Sequence, residues 1–214
     1  MAVASPVDIC NLALKRLGVA AIVALDEGTD RASACATLYP ATRDRLLREF
    51  EWNFAQVRVN LTKLSTVPAF GYGAEYALPT LPLALKINET DPPDAEYDIE
   101  VAVNPVDGTV TSPVIRTDET SLGVRYTAQI TDVSRWSASF VDVVAWELAA
   151  QLAYPLTESP GKAKELSSIA ANALQHARSV DSQEGSTKTA DVNTLVNVRF
   201  HGVIDDFSRN RNSI

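Results

Sequence analysis

The sequence is poor in the residues that build metal and nucleophilic sites. Its 214 residues include two histidines, His176 and His201. His176 has no histidine or carboxylate four residues away, and His201, which Asp205 follows at that spacing, lies in the polar tail rather than in a predicted helix. Nucleophile-elbow, phosphate-loop and dinucleotide motifs do not occur either. The sequence therefore predicts a protein that binds rather than one that catalyses, with no metal and no cofactor.

Cysteine is scarce as well. The two cysteines, Cys10 and Cys35, fall in predicted helices, and no CxxC or Cys/His spacing surrounds either of them. Metal-binding and redox motifs need such spacings. We expect two buried free thiols rather than a disulfide.

Long apolar runs are missing, although 46% of the residues are apolar and 21% are charged. No stretch reaches the length that crosses a bilayer. The first residues lack the basic start and the cleavage site of a signal peptide. We expect one medium domain, or one domain interrupted by a smaller one, that works away from membranes in a cytoplasm or in a particle assembled there.

Positive charge is scarce in the middle of the chain. Residues 64–134 hold 11 acidic and 3 basic residues, whereas the remainder holds 16 of each, so the net charge of −8 belongs to the middle. Because a protein that grips phosphates needs a basic surface, nucleic-acid binding is disfavoured. The acids either line a path that DNA slides along or serve solubility. The candidates for such a channel lining are Asp94, Glu96, Asp98 and Glu100.

Two helices are predicted in the first fifty residues. Ser5, Pro6 and Asp8 form a capping sequence for the first helix, and Gly18 suits its left-handed end. The second helix runs from about 29 to 50 and contains Pro40, which predicts a bend or a restart. Aromatic residues follow it and are expected to bury the exit of the helix.

The second half of this helix carries mixed charges. Residues 44 and 48, and 45 and 49, have the spacing of helical ion pairs. The face is either a solvated surface or a polar contact between copies of the chain. The residues assigned to it are Arg43, Arg45, Arg48 and Glu49.

The hydrophobic period changes to alternation between residues 56 and 131. Tyr97, Ile99, Val101 and Val103 alternate with polar or small residues, which predicts a strand with one buried face. A second alternating run covers 124–130, and the Asp-Gly pair at 107–108 is typical of a hairpin turn. We therefore predict a mainly α fold with a β insert: a helical bundle from 1–60 and 132–180 and an antiparallel module at 61–131.

The third helix is apolar almost all round. Phe140, Val144 and Trp146 belong to it, and such a helix lies either at the centre of a bundle or at a subunit interface.

Residues 181–214 are polar with scattered apolar anchors, so we predict an extended C-terminal arm that orders on a partner or a frayed tail. The arm residues proposed to make contacts are Phe200, His201, Ile204, Phe207, Arg209 and Arg211.

These segments, taken in order, resemble the tail tubular protein A family, the head-to-tail adaptors of short-tailed bacteriophages and prophages. The likeness is carried by "DICNLALKRLG" (8–18), "LDEGTDRASACATLYPATRDRLLREFEWNFA" (25–55), "YALP" (76–79), "VRYTAQITD" (124–132) and "FVDVVAWELAAQLAYPLTES" (140–159). The insert between 81 and 118 departs most from the family pattern, and residues beyond 185 match no motif.

The resemblance implies a ring of twelve-fold symmetry that sits under the portal protein and continues its channel to the tail nozzle protein. DNA passes through such a ring without specific binding. The protein would be found in the host cytoplasm during assembly and in the neck and tail of the virion afterwards. The bundle and the arm would supply its contacts, and it would not be an enzyme.

Two alternatives remain open at this stage. A virion-associated glycan or peptidoglycan hydrolase would need an acid pair such as Asp205 and Asp206 together with a second carboxylate at the proper separation. Tyr72, Tyr76 and Tyr97 would then stack on sugar rings. A partner-binding module of the tail that forms no ring is the other alternative.

Overall fold

Helices flank a block of strands in the described part of this computed structural model, residues 5–103 and 110–184. Helices dominate, and the strands form two small antiparallel sheets, so the predicted mainly α fold with a β insert is confirmed. The elements are α1 (Pro6–Leu17), α2 (Asp30–Glu49), β1 (Gln56–Asn60), β2 (Ala74–Ala77), β3 (Ala84–Asp91), β4 (Tyr97–Val103), β5 (Val110–Thr117), β6 (Gly123–Ala128), α3 (Ala138–Thr157) and α4 (Pro160–Glu184).

The ends of α1 follow the predicted capping chemistry. The Asp8 amide donates to Ser5 Oγ at 3.2 Å, and the Ser5 amide donates to Asp8 Oδ2 at 3.1 Å. Gly18 has a φ of 73°, the left-handed conformation that suits glycine. The capping box satisfies backbone donors that the helix leaves unpaired.

Two prolines lie inside helices and do not end them. α2 continues through Pro40, so the predicted restart there is wrong. Pro40 has no N–H to donate to the Ala36 carbonyl. Both residues are exposed, so water can donate a hydrogen bond to that carbonyl instead. α3 continues through Pro155 to Thr157. The Thr157 hydroxyl donates to the Ala153 carbonyl at 2.6 Å in this last turn.

The strands pair in the orders β1-β6-β3 and β2-β5-β4. β1 lies inside the range 1–60 that was assigned to helices, and it pairs with β6. β5 was not predicted as a strand of its own, but it pairs antiparallel with β4, as a hairpin requires. The predicted Asp-Gly turn itself lies outside the described residues.

The predicted buried face of β4 is wrong in part. Ile99 is 51% exposed and Val101 is 50% exposed. β4 is an outer strand of its sheet, so its apolar face has a neighbour on only one side. The alternation in β6 behaves as predicted, because Val124, Tyr126 and Ala128 are all buried in the middle strand of the other sheet.

An aromatic cluster joins the two helical segments on either side of the insert. The Phe140 ring lies 4.9 Å from the rings of both Trp52 and Trp136, measured between centroids, and 5.1 Å from Phe54. Trp52 is fully buried, and its indole N–H donates to the Leu46 carbonyl at 2.9 Å. The aromatic residues after α2 therefore bury its exit, as the sequence predicted.

The helical core and the sheets belong to one compact unit that extends to Ser182. A second apolar cluster lies between the sheets, built on Tyr76, Ile115, Leu122 and Tyr126. α4 continues to Glu184, so residues 181–184, assigned to the arm from the sequence, are helical. The rest of the predicted arm lies outside the described residues.

The aromatic cluster leads to a stability prediction. Trp52→Ala should lower the free energy of unfolding by roughly 4 kcal/mol, because it removes a fully buried ring and leaves a cavity beside Phe140. Tyr154→Ala is the matched control, since Tyr154 is 62% exposed, and it should change the free energy by less than about 0.5 kcal/mol. Urea titration followed by circular dichroism measures both. Equal losses of unfolding free energy in the two variants would contradict the stabilising role of the aromatic cluster.

Candidate assembly surfaces

A search of residues 5–103 and 110–184 for metal ligands finds no group of three or more His, Cys, Asp or Glu side chains that could hold an ion. In the same residues, no helix combines the length and apolar character that crossing a membrane requires. Cys10 and Cys35 are free and buried, as predicted. Hydrogen bonding to the Cys35 thiol, together with burial, raises the pKa of the Cys10 thiol.

Two residues of the predicted subunit interface lie in the core instead. Phe140 and Val144 are fully buried within their own chain, so another copy cannot reach them. Trp146 is partly buried, and the Arg16 guanidinium lies 3.8 Å above its ring. A helix that is apolar all round is buried on several sides. Here the covering elements are α1 and α2 of the same chain.

The charged face of α2 is satisfied largely within the chain. Arg45 pairs with Glu49 at 3.3 Å and with Glu147 of α3 at 2.6 Å, and Arg178 of α4 reaches Glu49 at 2.7 Å. These pairs tie α2 to two other helices, which favours the interpretation as a solvated face over a contact between copies.

The remaining charges of this face differ in environment. Arg43 contacts its neighbour Asp44 at 2.7 Å, and Asp44 also accepts from Nε2 of the Gln129 side chain at 2.8 Å. Arg48 is exposed. Of the charged residues assigned to an interface, Arg48 is therefore the one whose surroundings leave it most open to a partner.

The four acids assigned to a channel lining are exposed. Asp94 and Glu96 precede β4, and Asp98 and Glu100 lie on one face of it. Glu100 forms an ion pair with Arg116 of β5. Partial desolvation, and then the charge and hydrogen bond of Asp98, raise the pKa of the Tyr72 hydroxyl, which places this tyrosine beside Asp98.

A buried carboxylate lies under this acidic face, and sequence reasoning missed it. Glu75 of β2 is buried and accepts from Arg116 Nε at 2.9 Å and from the Thr66 hydroxyl at 2.7 Å. Arg116 therefore bridges the buried Glu75 and the exposed Glu100 across the sheet. The alternating sequence pattern places Glu75 on the polar face of β2. The pattern does not reveal that loop residues cover Glu75.

An open groove lies between α3 and α4. Its volume is about 580 Å³, and the apolar residues Ile169, Ala173 and Val180 line it together with the exposed His176. Only part of the apolar stripe of α4 is covered by the chain: Leu166, Ala170 and Ala177 are buried. We call this surface the helical groove.

A second open apolar surface lies on the insert. Ile99 and Val101 of β4 form what we call the apolar edge, and both are about half exposed. Phe70 and Leu81, in loops of the same insert, are 88% and 94% exposed. Neighbouring exposed apolar side chains, such as Ile99 and Val101 on one face of β4, commonly mark contact sites.

The residues proposed for sugar stacking are not presented together. Tyr76 is buried, and its hydroxyl donates to the Glu119 carbonyl at 2.9 Å, whereas Tyr72 and Tyr97 are partly buried. The acid pair Asp205 and Asp206 lies outside the described residues. The arm residues lie outside them too: Phe200, His201, Ile204, Phe207, Arg209 and Arg211.

Comparison with models of known protein families and with curated proteins finds no match to this chain. What the surfaces do must be inferred from their own chemistry. The described residues offer two open apolar surfaces of different kinds, the helical groove and the apolar edge. Two of the acids assigned to a channel lining, Asp98 and Glu100, lie on the opposite face of the same strand.

The buried carboxylate leads to a prediction. Arg116→Met should lower the free energy of unfolding by roughly 3 kcal/mol, because it leaves the buried Glu75 without its charged partner. Glu100→Gln is the control: it removes the exposed partner of the same arginine and should cost less than about 1 kcal/mol. Chemical denaturation of both variants measures the difference. A Glu100 variant as unstable as the Arg116 variant would show that Glu75 does not need this partner.

Proposed function

We propose that this protein is a structural head-to-tail adaptor of a short-tailed bacteriophage or prophage. Copies of the chain form a ring, with twelve expected from the family resemblance, between a portal protein and a tail nozzle protein. The ring continues the channel through which DNA passes. The protein binds its neighbours and has no reaction to catalyse. It acts in the host cytoplasm during assembly and in the neck of the virion afterwards.

The observation that carries the proposal is the presence of two different open surfaces on one chain. A ring in which each copy contacts the next head to tail needs two complementary patches that differ from each other. The helical groove is concave and formed by helices, whereas the apolar edge is an outer strand with protruding side chains. A contact that uses the same patch on both copies would need only one such surface.

The acids of the insert fit a channel that does not hold DNA. Asp94, Glu96, Asp98 and Glu100 are exposed, and among the described residues Glu100 is the one of these four that forms an ion pair. Negative charge repels the phosphate backbone, so DNA would pass without specific binding. That these acids face the channel stays a prediction.

Assembly in the presence of a portal tests the proposal. The purified chain, mixed with portal rings of the same phage, should give complexes whose mass fits a closed ring of this protein on each portal. Light scattering gives the mass and negative-stain microscopy gives the shape. A monomer that ignores the portal over the micromolar range would contradict the adaptor role.

The arm has its own test. Truncation after His201 removes Ile204, Phe207, Arg209 and Arg211, and it should abolish portal attachment because it removes the proposed anchors. The circular dichroism spectrum should keep its helical signal, since the described helices end before the truncation. Co-sedimentation with portal rings measures attachment, with replacement of the four residues by alanine in the full-length chain as the matched variant. Unchanged attachment would remove these residues from the portal contact.

A further inference from the structure

In the part of the chain that the structure describes, no further strand pairs with the outer side of β4, and residues 98–101 of this strand are exposed. β4 is the last strand in the order β2-β5-β4. The opposite outer strand, β2, is covered, because the Leu64 amide donates to the Glu75 carbonyl at 2.8 Å and the Ala77 amide donates to the Thr62 carbonyl at 3.1 Å. An outer strand presents backbone groups that can pair with another strand.

The two faces of β4 differ in chemistry. Ile99 stands opposite Ile115 of β5, which is fully buried. The apolar face of this sheet is therefore covered at the middle strand, β5, and exposed at the outer strand, β4. The other face carries Asp98 and Glu100, and Arg116 already neutralises Glu100. A strand added here would meet apolar residues on one face and, on the other, Asp98, which interacts with the Tyr72 hydroxyl but forms no ion pair among the described residues.

The acids restrict which strand can be added. Two β4 strands paired with each other would bring like charges together, which destabilises cross-strand pairs and is a common way to protect a sheet edge. A suitable partner must alternate apolar residues with neutral or basic ones. The acids of β4 therefore disfavour pairing with a second β4 strand and favour pairing with a basic amphipathic strand.

One segment of the same sequence has this pattern. In "TLVNVRFH", residues 194–201, Val196, Val198 and Phe200 alternate with Asn197, Arg199 and His201. Strict alternation over several residues is typical of a strand with one apolar face. The segment lies outside the described residues and follows them by nine, 185–193, which span about 30 Å when extended.

We propose that residues 194–201 of one copy add to β4 of a second copy as an antiparallel strand. Val198 then stands opposite Ile99, and Arg199 stands opposite Asp98. The antiparallel direction continues the pattern of the sheet and brings Arg199 to Asp98 rather than to Glu100, which Arg116 already binds. The inference rests on the proposed ring, because each copy gives one strand and accepts one.

Strand addition explains how a small contact can hold a ring together. Backbone hydrogen bonds give the affinity in this mode of recognition, and alternate side chains give the specificity. Ordering a segment on binding lowers the affinity of a single contact. In a closed ring the contact is repeated at every subunit, so the assembly is held by many weak contacts at once.

A disulfide experiment tests the register. One sample of full-length chain carries Ile99→Cys and another carries Val198→Cys, while Cys10 and Cys35 stay in place because both are buried. Mixing the two and oxidising them should give a covalent dimer, since directly opposite residues in a sheet lie within disulfide range. Val59→Cys replaces Ile99→Cys in the control, because Val59 is 40% exposed on the outer strand β1 of the other sheet. Equal yields with the control would overturn the proposal.

The same pair of positions separates contact within a chain from contact between chains. A chain that carries both Ile99→Cys and Val198→Cys should form oligomers linked end to end on oxidation. Formation of an internal disulfide alone, with no dimer from the mixed single variants, would show that the segment pairs with its own β4 and would overturn the exchange between copies.

Charge reversal provides a readout that a purely structural role would not give. Asp98→Arg and Arg199→Asp should each weaken self-association about tenfold, and the chain carrying both should recover it. Sedimentation velocity over a concentration series measures the change. Failure of the double variant to recover would contradict the Arg199–Asp98 contact. A chain carrying Ile99→Cys and Val198→Cys that forms portal-bound rings but gives no cross-link between copies would also overturn strand exchange, and it would leave the adaptor role standing.

Discussion

Packing of Phe140 between Trp52 and Trp136 is the contact on which the rest of the structure depends. Trp52 precedes the β insert in the sequence and Phe140 follows it, so their contact at 4.9 Å holds the two ends of the insert at one place. The helices on both sides can then share one core around α3. An insert whose ends are held in this way can vary in sequence without disturbing the bundle.

Ion pairs extend this joint to the sheets. Arg125 of β6 contacts Glu51, just after α2, at 2.9 Å and Glu89 of β3 at 2.8 Å, and it donates to Gln56 at 3.0 Å. Hydrogen bonding to Glu89 raises the pKa of Arg125, so the guanidinium stays charged. One side chain therefore ties the exit of a helix to three strands of a sheet. The helical groove and the apolar edge are consequently presented by a single compact unit.

Local rules predicted the parts of the fold that depend on neighbouring residues. The capping box at Ser5 and the alternation in β6 are confirmed, because backbone geometry and period are set locally. The sequence did not distinguish an outer strand from a middle one, and for that reason Ile99 was expected to be buried. It also did not distinguish a core helix from an interface helix, so Phe140 was assigned to a contact between copies. Both distinctions depend on what packs alongside, which no local pattern contains.

In the proposed ring, neighbouring copies meet through unlike surfaces, because residues 194–201 of one copy pair with the open strand β4 of the next. Cryo-electron microscopy of the assembled protein tests that claim most directly. We expect a closed ring whose neighbours are related by rotation about a single axis, with Ile99 covered by the next copy. A two-fold dimer in which both copies use the same surface, or a ring in which β4 faces solvent, would contradict it.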